Sequence, residues 1–140
     1  MDDHLTAHPQ ILSFDYPLSG VLQGCLVIST QKESATHVKD LMKELWSQPG
    51  MEFNKFLIVV DEDVEAKDTS KVAWKVFNNI DAKRDLVIEE ASGDFGHRLG
   101  IDATKKLALD DHPREWPDDI VMSAEIKEKV TRRWSEYKID

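Results

Sequence analysis

Two apolar runs, Leu26-Val27-Ile28 and Phe56-Leu57-Ile58-Val59-Val60, constrain this chain more than anything else in it. The second is continuous and β-rich, the pattern of a strand buried on both faces. Such a strand needs a cover on each side, so helices should stand close to it in sequence. Between the runs, Ser34 is a good helix cap. Ala35, Val38, Leu41, Met42, Leu45 and Trp46 then recur at helical spacing until Pro49-Gly50 ends them. After the second run Asp68 caps another helix, with inward positions Val72, Ala73, Val76, Phe77 and Ile80, and Asp85 opens a third run, Leu86-Val87-Ile88. Strand, helix, strand, helix, strand with short joints predicts a three-layer α/β fold, a right-handed βαβαβ unit on a mainly parallel sheet.

The flanks differ in kind. Residues 1–20, punctuated by Pro9, Pro17 and Gly20, read as a lead-in segment that packs on something, such as another subunit, with a short edge strand at 11–14. Residues 21–140 form the domain proper. The stretch 92–117 is rich in Gly, Asp, Lys and Pro and reads as a long irregular loop, of a length that is usually functional or packed on a partner. Ser123 caps a carboxyl-terminal helix, and Ile126, Val130, Trp134 and Tyr137 mark one face of it.

A net charge of −9 repels phosphate backbones and anionic lipid, so neither nucleic acid nor a membrane is the expected partner. The Lys105-Lys106 and Arg132-Arg133 pairs are too small to be basic patches. The acidic start Met1-Asp2-Asp3-His4 is unlike a signal peptide, and the expected location is cytoplasmic. The single cysteine, Cys25, reads as a small core residue. The turn Ser29-Thr30-Gln31-Lys32-Glu33-Ser34 has no glycine, which argues against a dinucleotide fingerprint or a P-loop there. None of the five histidines has a cysteine nearby, so no zinc site is expected. No GxSxG elbow marks a serine hydrolase. His37 falls on the solvated side of the first helix.

Three groups of residues are candidates for function. Asp61, Glu62 and Asp63, with Glu65 behind them, follow the central strand, at the end of the sheet where ligands bind in open α/β folds. They are placed either to hold a divalent cation through oxygen ligands or to accept hydrogen bonds from amides and from arginines across an interface; the second reading is favoured. In Gly93-Asp94-Phe95-Gly96-His97-Arg98, the histidine lies on a glycine-flanked loop and can reach a ligand. The turn His112-Pro113-Arg114-Glu115-Trp116-Pro117 pairs a rigid backbone with Arg and Trp, as interfaces do; a Trp116 filling the core beneath a loop is the equal alternative.

Residues 56–64, then Val72-Ala73-Trp74 with Ile80-Asp81 and Arg84-Asp85, then Leu99-Gly100-Ile101-Asp102-Ala103-Thr104-Lys105-Lys106 together resemble the carboxyl-terminal domain of UbiD-type decarboxylases. The turn at 112–116 and the closing Arg132-Arg133-Trp134 with Tyr137 are similar to that family's end. The resemblance implies reversible decarboxylation of aromatic or α,β-unsaturated acids with prenylated FMN, aided by Mn²⁺ and K⁺. In that family the cofactor, metal and catalytic residues belong to preceding domains, so it assigns no catalytic, cofactor-binding or metal-binding residue here. It implies a small subunit that completes the substrate pocket and the oligomer of a larger prenylated-FMN-binding chain acting on aromatic, phenolic acids. Phe95, His97 and Leu99 become candidate pocket residues. Asp61, Glu62, Asp63, Arg114, Trp116, Trp134 and Tyr137 become candidate interface residues. The competing expectations are a non-enzymatic module that self-associates through Trp116 and Trp134, and a free-standing metalloenzyme using the carboxylates at 61–65.

Overall fold

The computed structural model describes residues 2–17, 24–91, 96–110, 112, 116–117 and 119–138. Its centre is the pair of apolar runs. β2 (Cys25–Thr30) and β3 (Phe56–Asp61) lie parallel, with Leu26 beside Leu57 and Ile28 beside Val59. Successive side chains point to opposite faces of a strand. Leu26, Ile28, Leu57 and Val59 therefore meet Val38, Leu41, Met42 and Leu45 of α2 (His37–Trp46) on one side. Val27 and Val60 meet Val72 of α3 (Thr69–Asn79) on the other. The result is the expected three-layer α/β fold with a mainly parallel core.

The lead-in segment packs on its own chain. Helix α1 (Asp2–Ala7) buries Leu5 in the α2-side core. β1 (Ser13–Asp15) runs antiparallel to β2 as an edge strand, close to where one was expected.

The third strand corrects the expected order. β4 (Leu86–Glu90) does not lie beside β3; that place belongs to β5 (His97–Asp102), parallel to β3, and β4 lies outside β5 and antiparallel to it. The sheet order is β1-β2-β3-β5-β4. The connection between β4 and β5 is too short for a parallel crossover, so the two strands form a hairpin. β5 lies inside the stretch read as irregular. Its residues facing α2 are Arg98, Gly100 and Asp102, which conceal a buried strand behind polar and glycine letters. Arg98 stacks over the Trp46 ring at 4.9 Å and pairs with Glu89 at 3.0 Å. Gly100 permits close approach: a Cβ there would lie 2.5 Å from Met42 Sδ and 3.0 Å from Trp46.

The helices shift in register. α2 begins at His37, with Thr36 at its cap; Ser34 instead accepts the His37 amide proton at 3.1 Å, and Ala35 is exposed. His37 is buried, not solvated, and its Nδ1 accepts from the Glu33 amide at 3.1 Å. Asp68 caps α3 as expected, by accepting from the Lys71 amide. The inward face is rotated, however. Phe77 is 81% exposed, whereas Lys75 is fully buried and Asn79 nearly so. Two partners draw the helix round: Asp119 binds Lys75 Nζ at 2.9 Å, and the Ala103 carbonyl accepts from Asn79 at 3.1 Å. Cys25 is half-buried at the start of β2, where burial raises its thiol pKa. Ser123 caps α4 (Ala124–Arg132), none of whose residues is buried.

Candidate functional site

The carboxyl ends of β2, β3 and β5 meet at a cleft of about 210 Å³ lined by Thr30, Gln31, Lys32, Asp61, Glu62, Asp63, Lys105 and Leu107. Beneath it lies a cluster of buried charges. Asp102, the last residue of β5, accepts from the Thr104 amide at 3.0 Å and from the Thr104 hydroxyl. Its Oδ1 also lies 3.0 Å from Lys106 Nζ, which donates to the Asp102 carbonyl at 3.0 Å and lies 3.5 Å from Asp85. Arg84 grips Asp85 through two bonds of 2.7 Å, and the Asp81 amide donates to the same carboxylate at 2.7 Å. Lys32 sits 2.7 Å from Asp110 and 3.7 Å from Asp102.

Removing charges from water is costly, so such groups survive only when paired and hydrogen-bonded. Burial alone would raise the Asp85 carboxyl. Arg84, the Asp81 amide and Lys106 outweigh it and hold the group below the usual carboxylate range. Most of this cluster comes from the Asp81, Arg84-Asp85 and 99–106 stretches that carried the family resemblance. They tie the α3–β4 turn to the end of β5.

Asp61 has a similar task. Both of its oxygens accept from the Lys105 amide at 3.0 Å, which pins the segment after β5 to the end of β3. Burial pushes its carboxyl up, and neither the Lys105 amide nor the nearby Lys75 cancels that effect. Glu62 and Asp63 are exposed, and Lys71 Nζ donates to the Asp63 carbonyl at 2.6 Å. Asp61 thus serves as an acceptor for a loop amide. Among the described residues no three His, Cys, Asp or Glu side chains are grouped to hold a metal ion. His4 and His8 stand four residues apart, a spacing that suits a ligand pair, but His8 lies 3.4 Å from Glu44 without a third ligand.

A second, larger depression of about 620 Å³ runs along the outside of α3, where Trp74, Asn78 and Asn79 face Trp116, Pro117, Asp119 and Ile120. Trp116 is half-buried there and packs edge-on against His112 at 5.2 Å. Lys75 fastens this strap, and its hydrogen bond to Asp119 holds that carboxyl below its ordinary range.

The other candidates are dispersed. His97 is exposed at the amino end of β5, opposite the end that holds the acidic run, and Leu99 is half-buried two residues on. Phe95 and Arg114 lie outside the described residues. Trp134 and Tyr137 are 53% and 40% exposed and pack edge-on at 6.3 Å. The inward lysines were missed from sequence. The signal for one was present, since Lys75 keeps helical step with Val72, Val76 and Asn79.

Comparison with known proteins bears on this arrangement. The profile of the 3-octaprenyl-4-hydroxybenzoate carboxy-lyase C-terminal domain matches residues 3–103. An uncharacterized protein of Archaeoglobus fulgidus is 33% identical over 142 residues, covering 94% of this chain and 30% of that protein. Among solved structures, the vanillic acid decarboxylase of Sedimentibacter hydroxybenzoicus in its closed form superposes with a TM-score of 0.73 at 22% identity, covering 98% of this chain and 31% of that one. The UbiD-class enzyme HmfF of Pelotomaculum thermopropionicum, in complex with FMN, gives 0.61 at 25% identity, covering 79% of this chain and 26% of that one. This chain therefore spans under a third of the length of the relatives it matches.

Proposed function

Since the chain belongs to the family of 3-octaprenyl-4-hydroxybenzoate carboxy-lyase C-terminal domains, we propose that it acts as a non-catalytic subunit of a UbiD-like decarboxylase or carboxylase for aromatic, phenolic acids. On this reading it docks on a larger chain and completes the substrate pocket. The observation that carries the proposal is the use made of its charged groups. Lys32, Lys75, Lys106, Asp85 and Asp102 are engaged with one another or with neighbouring aspartates in the interior. A decarboxylating site needs such groups aimed at an open pocket. The groups present here do not fit a flavin phosphate and its metals either, for the same reason. Prenylated FMN, with Mn²⁺ and K⁺, belongs on the larger chain.

Two patches, at opposite ends of the sheet, are candidates for the contact with that chain: the amino end of β5, with His97, and the cleft rim at Glu62 and Asp63. Trp116 and the rest of the strap extend the second along α3. A stable complex needs roughly 1,200–2,000 Å² of buried surface, so more than one of these patches takes part.

Reconstitution tests the proposal. A UbiD-like larger chain loaded with prenylated FMN is assayed on a phenolic acid with and without this chain. Co-purification and a rise in turnover are expected, with His97→Ala altering KM or kcat while the complex persists. Turnover unaffected by adding this chain removes the proposal.

A further inference from the structure

A buried cation needs an anion against it, and the anion on Lys75 is held in place by little else. Lys75 is fully buried, and its Nζ donates to both oxygens of Asp119, at 3.1 and 2.9 Å. The buried Lys106 differs, because its aspartates, Asp85 and Asp102, stand beside β4 and at the end of β5. Asp119 lies on the strap, whose described residues belong to no helix or strand. Ile120, Val121 and Met122, which follow it, are all exposed, so apolar packing does little to secure it.

The charges around Asp119 call for a carboxylate whatever its source. The hydrogen bond from Lys75 holds its carboxyl low, and the charges of Lys75, Lys105 and Lys71 add to that effect. Two other aspartates face the same lysines. Lys71 lies 3.7 Å from Asp63, and Lys75 and Lys105 act on Asp61. Three lysines against those two aspartates leave one positive charge, which Asp119 neutralises. Beside it there is room for a ring. The depression of about 620 Å³ along α3 is of ligand size, and Trp74 and Trp116 are among its walls together with Asp119. Indole faces suit a flat aromatic body.

We infer that this groove binds a small aromatic carboxylate, whose charged group replaces Asp119 on Lys75 while its ring lies between Trp74 and Trp116. The exchange keeps Lys75 paired, so the buried charge is never left bare. Trp116, packed against His112, keeps its place, whereas Asp119 and the exposed residues after it are released. Asp119 competes with the ligand, so the apparent affinity is the intrinsic one reduced by the fraction of chains in which Asp119 has let go. The inference needs no larger chain.

Calorimetric titration of the full chain with benzoate, benzamide and acetate tests it. Benzoate is expected to bind, with benzamide, which lacks the charge, and acetate, which lacks the ring, each weaker by roughly tenfold or more. Asp119→Asn removes the competitor and should tighten benzoate binding about tenfold. Lys75→Met and Trp74→Ala should each weaken it roughly tenfold. Trp74 is 52% exposed, so Trp74→Ala should fold, as circular dichroism would verify, and it keeps the test open if a charge variant does not. Benzoate should also quicken limited proteolysis at 119–122 in the wild type and not in Trp74→Ala. Absence of benzoate binding to both the wild type and Asp119→Asn at millimolar concentration overturns the inference. Benzamide binding as tightly as benzoate overturns it too, as does an affinity that Lys75→Met and Trp74→Ala leave unchanged.

Discussion

Buried Asp85 and half-buried Asp61 have opposite leanings, and pH should separate them. The folded-state carboxyl of Asp85 lies below its ordinary value. The stability it contributes is therefore complete above about pH 4 and is lost as pH falls through the lower folded value. Asp61 is raised, so it favours the fold most when protonated, and that contribution disappears as pH rises through its elevated value. Urea titrations across pH should show Asp61→Asn gaining on the wild type as pH rises above the usual carboxylate range. Asp85→Ala should cost about 3–5 kcal/mol at neutral pH, because Lys106 and Arg84 lose a buried partner, with the deficit shrinking in acid. Gly100→Ala tests packing instead of charge. Its methyl would crowd Met42 and Trp46, and thermal denaturation should report a loss of about 1–3 kcal/mol.

Among the elements, α3 and its strap give the clearest test. Lys75→Met removes the anchor for Asp119 while keeping a long apolar stem under the helix. Limited proteolysis should then cut near residues 116–122 faster than in the wild type, with the core melting transition little changed. The legibility of the elements follows their letters. β2 and β3 announce themselves because both faces of each are apolar, and α2 and α3 because their caps and periodicity agree. β5 stayed hidden because it satisfies one face with a stacked arginine, a glycine and a paired aspartate, none of which reads as strand. His37 reads as solvated because its residue type suggests it, and Lys75 is absent from the expected inward face; the Glu33 amide and the distant Asp119 hold them inside. The candidate site was legible in parts. Asp61 lies at the predicted end of the sheet, whereas the ion cluster beneath it depends on contacts between Asp85, Asp102 and Lys106 that only the tertiary fold creates.

For the molecule as a whole, strand order decides more than strand count. The central β3 draws one neighbour from upstream and the other from about forty residues downstream. While the polypeptide is being made, β3 has therefore emerged, apolar on both faces, well before the strand that closes its second edge. A nascent chain halted short of residue 97 would display that unpaired edge, a template for association with other chains. Such fragments should precipitate, whereas chains extended past residue 110 should stay dispersed, as pelleting of staged translation products would reveal. A cell that produces this protein must keep β3 from the wrong neighbours until β5 arrives.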